Sequence, residues 1–137
     1  MVNRDEAVQA MRLVLEQEPR LRLALLFGSV ARSSASEQSD IDLAVQGDEL
    51  DLAQLSAALS SALGRETQVV GLRDAGVPLL EELLRDGVVV YERPPHTAAT
   101  WRARAIADLE IDRPWYARMR DAWLRRVAER GLRDGQS

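Results

Sequence analysis

Residues Phe27 to Val45, FGSVARSSASEQSDIDLAV, concentrate the side chains able to do chemistry. Gly28 lacks a Cβ, so a phosphate group can come close to the backbone there. Ser29 adds a hydroxyl and a backbone N–H, and a short helix starting at this point would aim further free N–H groups at an anion. Arg32 lies one turn on and is a further candidate for phosphate charge. Asp40-Ile41-Asp42 then opens an apolar run. On a strand, side chains alternate between faces, so Asp40 and Asp42 share one face with Cα atoms roughly 7 Å apart. Two carboxylates so placed suit Mg²⁺, which takes oxygen ligands, uses one or two carboxylates and completes its shell with water and substrate phosphates. A phosphate cradle opposite a carboxylate pair is what nucleotidyl transfer needs.

The surrounding elements must hold these groups in place. Residues 3–18 carry Ala7, Met11, Val14 and Leu15 at helical spacing, with Asn3 and Glu6 as a capping box and Pro19 as the stop. The apolar run 21–27 predicts a buried strand ending at Gly28. Residues 29–39 predict a loop with one helical turn at its start, and 41–45 a second strand. Leu52, Leu55, Ala58, Leu59 and Ala62 predict a helix over 51–63, stopped by Gly64. A strand over 68–72, a helix over 78–85 and a strand over 88–91 follow. Beyond Pro94-Pro95 the chain predicts two helical pieces. The second would be capped by Asp112 and would take Pro114 in its first turn, where proline is tolerated. The fold class is α+β: a small mixed sheet flanked by helices, with the helices on one side, and a C-terminal helical arm.

The chain has 137 residues, no cysteine and a net charge of −4. Disulfide frameworks and thiolate metal sites are excluded. The polar, helix-patterned N-terminus is no signal peptide, and no run reaches the ~20 apolar residues of a membrane span. These features predict a cytoplasmic protein with no membrane association. An acidic chain also argues against direct nucleic-acid binding. Every cation is arginine, and nine of them follow residue 100. Asp48 and Asp51 read as turn and cap residues, His96 as a loop residue and Tyr91 as packing. Trp115, Met119, Trp123 and Val127 fall four apart, a stripe that suits packing or, alternatively, a partner surface.

With Gly28-Ser29 followed at this distance by Asp40-x-Asp42, and a strand before each half, the sequence resembles the minimal nucleotidyltransferases (MNT) of the polymerase-β superfamily. GVPLLEELLRDGVVVYER, residues 76–93, is similar to the segment after the third strand in MNT antitoxins. The resemblance implies a polymerase-β-like nucleotidyltransferase core over 1–93, with 94–137 as a C-terminal helical extension packed on the same domain. It implies Mg²⁺ as cofactor and ATP as substrate. Ser29, with Gly28, would hold the triphosphate, Asp40 and Asp42 would bind the metal, and Arg32 would be an accessory phosphate contact. MNT proteins are commonly encoded beside HEPN-domain ribonuclease toxins, and members of the family neutralise them by transferring AMP from ATP to a toxin tyrosine. A HEPN-family toxin is therefore the implied partner.

One departure accompanies the match. The family pattern carries a third carboxylate on the third strand, and here that position is Gln68. Glutamine is neutral, a poor base and a poor Mg²⁺ ligand. Glu66 lies on the same strand face but displaced by about 7 Å, and Asp74 lies beyond the strand. Three readings stay open: a protein adenylyltransferase, a catalytically degenerate nucleotidyltransferase that neutralises its toxin by binding alone, and, ranked last, a nucleotidyltransferase with a small-molecule acceptor, since such enzymes generally carry a substrate domain.

Overall fold

A computed structural model of the chain describes residues 4–32 and 40–134. The proposed capping role of Asn3 and the predicted loop over 33–39 lie outside the described residues. The helix Arg4–Leu15 (α1) buries Ala7, Val8, Met11 and Leu15, the stripe expected from its spacing. The apolar run Leu21–Phe27 forms strand β1, and Gly28–Ala31 follows directly as a single helical turn, α2. Ile41–Gly47 is β2. Helix α3, Leu52–Leu63, starts where the Asp51 carboxylate accepts from the Gln54 N–H, and it stops at Gly64, a left-handed residue at φ 65°. Thr67–Gly71 is β3, followed by a 3₁₀ turn at Leu72–Asp74. Helix α4 spans Val77–Asp86 and β4 spans Val88–Glu92.

The four strands form one mixed sheet in the order β3-β2-β1-β4. β1 is antiparallel to both β2 and β4, while β2 and β3 run parallel across the α3 connection. Helices cover both faces, not one. α1 and α3 pack with Leu26, Ile41, Leu43 and Val45 on the first face. Leu23, Leu25 and Ala44 on the opposite face pack with Leu83 of α4 and with Ala98 and Trp101 of the last helix. Hydrophobic periodicity defines which side of a helix is apolar, but not which side of the sheet that helix will cover.

The C-terminal region also departs from expectation. It is one helix, α5, running from Thr97 to Asp134 with Pro114 inside it. Asp112 is an interior residue and not a cap. Proline removes one backbone donor and crowds the carbonyl four residues earlier. At Pro114 both Glu110 and the proline are exposed, so water can reach that carbonyl and the helix continues. The start of α5 is fixed by Glu92, whose carboxylate accepts from the N–H groups of His96 and Ala98. Those two hydrogen bonds hold the Glu92 carboxyl below its ordinary pKa. Among the described residues no helix is long and apolar enough to cross a membrane.

Candidate active site

Gly28 sits where β1 meets α2, at φ +77°, a conformation that side-chain-bearing residues rarely adopt. Its neighbour across the β1–β2 pair is the carboxylate of Asp42. A Cβ on Gly28 would lie 2.5 Å from the Asp42 Oδ2 atom. The glycine is thus required by backbone conformation and by the room Asp42 occupies. Ser29 follows in the first turn of α2, half-buried. α2 is tied down at its other end by Arg4, whose Nη1 donates to the Ala31 carbonyl at 3.1 Å.

Asp42 is the second residue of β2. Its Cα partners are Phe27 on β1 and Gln68 on β3. Ala44, two residues on, belongs to the face covered by α4 and α5, so Asp42 opens on that face at the end of the sheet marked by Gly28. Asp40 immediately precedes the strand and is exposed. The Asp42 carboxyl is pushed above its ordinary pKa, first by burial, then by the negative charges of Asp40 and Glu82. A divalent cation bound here would offset the negative charge that Asp40 and Glu82 bring to Asp42.

The cation sent toward this corner is Arg32. Its Nη1 lies 3.3 Å from Glu82 Oε1 on α4, and both side chains are partly exposed. Arg32 is paired with Glu82 here and not with a carboxylate of the DxD pair. Glu82 is the residue that sequence reasoning missed. It belongs to no motif, and its only signal is its place on the polar side of an amphipathic helix whose orientation the sequence does not reveal.

Gln68 is exposed and stands beside Asp42 in register, on the same face of the sheet. Glu66 lies outside β3, and its carbonyl accepts from the Ile41 N–H at 2.9 Å. Asp74, in the 3₁₀ turn after β3, lies past the strand's other end. Of the sequence candidates, Gly28, Ser29, Asp40, Asp42 and Gln68 thus gather at one end of the sheet, with Arg32 and Glu82 along its rim. Among the described residues no group of three or more His, Cys, Asp or Glu is arranged to hold a metal. The donor set is the Asp40–Asp42 pair, which fits Mg²⁺ completed by phosphate oxygens and water.

Residues 9–96 match the family model for the polymerase-β nucleotidyltransferase domain. The protein adenylyltransferase MntA of Shewanella oneidensis is 35% identical over 81 residues, covering 56% of this chain and 58% of that protein. MJ0435 of Methanocaldococcus jannaschii is 35% identical over 74 residues, 51% of this chain and 80% of that one. Among solved structures, a toxin–antitoxin with AMP-PNP superimposes with a TM-score of 0.70 at 24% identity, over 84% of this chain and 97% of that one. The MNT antitoxin complexed with the tri-AMPylated HEPN toxin of Shewanella oneidensis gives 0.68 at 24% identity, over 87% and 98%. The chain belongs to the polymerase-β nucleotidyltransferase family. It matches little more than half the length of the first of these sequence relatives.

Proposed function

We propose that this chain is a Mg²⁺-dependent protein adenylyltransferase that moves AMP from ATP to a tyrosine of a HEPN-family ribonuclease and so acts as its antitoxin. The observation that carries this reading is the corner formed by Gly28 and Asp42. There the side-chain-free backbone of Gly28 lies directly against Asp42, the half-buried member of a carboxylate pair whose negative charge, with burial, raises the Asp42 pKa. The MntA relative and the AMPylated-toxin complex support the choice of acceptor. ATP as the donor and a chain free of cysteine suit the cytoplasm. The transfer unit comprises residues 1–93, with 94–137 as its helical extension.

In this reading the backbone of Gly28 and Ser29 receives the triphosphate, and Asp40 and Asp42 hold Mg²⁺. The metal, when bound, neutralises phosphate charge and orients the α-phosphate. A tyrosine oxygen attacks the α-phosphorus, the bond to the β-phosphate oxygen breaks and pyrophosphate leaves. The phenolic proton passes to solvent or to a base, a role that Gln68 cannot fill. Arg32, released from Glu82, turns to the phosphates.

The second reading is a binding antitoxin with a degenerate site, and Gln68 beside Asp42 is the observation that favours it. Transfer of labelled AMP from ATP to a HEPN-family ribonuclease that this chain neutralises separates the two. Label that vanishes in Asp40→Ala/Asp42→Ala establishes the enzyme. Absence of label from wild type, with toxin neutralisation surviving in that variant, leaves the binding antitoxin.

A further inference from the structure

Helix α5 begins at the end of the sheet remote from Gly28. Its first turn is held by Glu92, which pairs with Leu23 near the start of β1. It then crosses the sheet face that carries Asp42. Ala98 and Trp101 pack into that face, and Ala105 and Leu109 are buried. It runs along α4, with Arg102 Nη2 donating to the Leu84 carbonyl at 2.8 Å and Arg113 Nε 3.0 Å from Glu81 Oε1. Glu81 adjoins Glu82, the residue whose charge reaches Asp42. Past Arg113 no side chain of α5 makes a polar contact with another element, among the described residues. Residues 114–134 extend on for about 30 Å of helix.

The apolar side of this overhang is a continuation of the buried side. At 3.6 residues per turn, the face holding Trp101, Ala105 and Leu109 runs on through Trp115, Met119, Trp123 and Val127. Trp115 is 58% exposed and Trp123 57% exposed, and Met119 and Val127 are exposed as well. An apolar stripe this contiguous is unusual on a lone monomer. It looks the same way as the buried half, and it starts where Arg113 meets Glu81, the neighbour of Glu82.

Charge selects the occupant. Residues 111–131 hold six arginines against three carboxylates, whereas residues 1–96 hold nine arginines against sixteen carboxylates. Arg118, Arg126 and Arg130 border the stripe with no partner among the described residues. Pairing of two such arms from two copies would set these arginines against one another. An acidic-rimmed apolar surface meets both the stripe and its border. The uninterrupted run of apolar contacts suits a protein better than a phosphate backbone, which would call on the arginines alone.

We propose that the overhanging half of α5 docks the protein acceptor, through an apolar surface rimmed by carboxylates, and holds the acceptor hydroxyl in front of the Asp40–Asp42 pair. This rests on the transferase reading above. The test uses the full chain and, as probe, a HEPN-family ribonuclease that it neutralises. Wild type is compared with Trp115→Ala/Trp123→Ala and with the charge reversal Arg126→Glu/Arg130→Glu, each checked for helix content by circular dichroism. Steady-state AMP transfer and complex affinity are both measured. The KM for the acceptor should rise by about 30-fold or more in the alanine pair, the scale of lost tryptophan anchors. The kcat and the KM for ATP should stay unchanged, and added salt should weaken the wild-type complex. An unchanged acceptor KM in both folded variants overturns the dock while leaving the transferase intact. So does a wild-type dimer that the alanine pair dissolves, which would make a second copy the occupant. Loss of single-stranded RNA binding with acceptor affinity retained overturns it as well. If wild type transfers no AMP, the transferase reading fails by itself, and the dock is then judged on complex affinity alone.

Discussion

Gly28 and Asp42 occupy one corner so tightly that a Cβ on the glycine would fall 2.5 Å from the aspartate Oδ2. The motif glycine and the second motif carboxylate are thus a single steric unit, although fourteen positions separate them in sequence. Gly28→Ala should cost stability twice. The left-handed backbone conformation costs about 1–2 kcal/mol for a residue with a side chain, and the clash adds to it. Adding Asp42→Ala should recover the clash component and not the backbone component. Chemical denaturation of the single and double variants measures both, and strictly additive losses would show that the two residues do not share the corner.

If Asp42 binds a metal as proposed, it should do so in competition with protons at a pH raised above that of an unperturbed aspartate. Burial, Asp40 and Glu82 all raise its pKa. A carboxyl whose folded pKa lies above its unfolded value disfavours the fold once ionised, and the fold regains stability as pH falls from the folded pKa toward the unfolded one. Metal-free Asp42→Asn should therefore be at least as stable as wild type near neutral pH, while transfer drops by about 100-fold or more. Mg²⁺ affinity should begin to fall on acidification at a higher pH than for an unperturbed aspartate. Carbon-detected NMR titration of Asp42 with and without Mg²⁺ checks the direction, and an ordinary or lowered pKa in the metal-free protein would contradict it.

Much of this corner was legible because its determinants are local. The run from Leu21 to Phe27, the Gly28 break and the Asp40-x-Asp42 alternation each declare themselves within a few residues, and Asp51 and Gly64 bracket α3 by their own side chains and dihedrals. The rest depends on distant partners. That β3 lies beside β2, which puts Gln68 in register with Asp42, is a property of the sheet order. Which face α4 covers decides that Glu82 meets Arg32, and no periodicity encodes that choice. The continuity of α5 through Pro114 is not legible in the sequence because proline usually ends a helix, and here exposure of Glu110 lets water take over the lost hydrogen bond.

Gln68→Asp should raise the rate of AMP transfer. The position adjoins Asp42 on the same sheet face and is exposed, so a carboxylate there is sterically simple to install. It would add a base and a third oxygen donor set, and a positioned general base is worth about 100-fold or more. It should also push the metal-free Asp42 pKa higher still, since a like charge arrives beside it. Single-turnover transfer at saturating ATP reads the first effect. A rate equal to wild type would mean that the acceptor hydroxyl needs no base at this position.

Glu82→Gln should strengthen ATP binding severalfold while leaving the fold's stability almost unchanged. The Arg32–Glu82 pair is 3.3 Å apart with both side chains partly exposed, so its own worth is below about 1 kcal/mol. In the transferase reading proposed above, the pair would hold Arg32 away from the phosphates, and Glu82 adds negative charge near Asp42. Removing that charge releases the guanidinium toward the triphosphate and eases ionisation of Asp42. Both effects favour Mg²⁺-ATP, so the Kd measured by titration calorimetry should fall and the melting temperature should scarcely move. A weaker complex in Glu82→Gln would instead make Glu82 part of the metal shell, contributing an oxygen that the neutral amide supplies poorly.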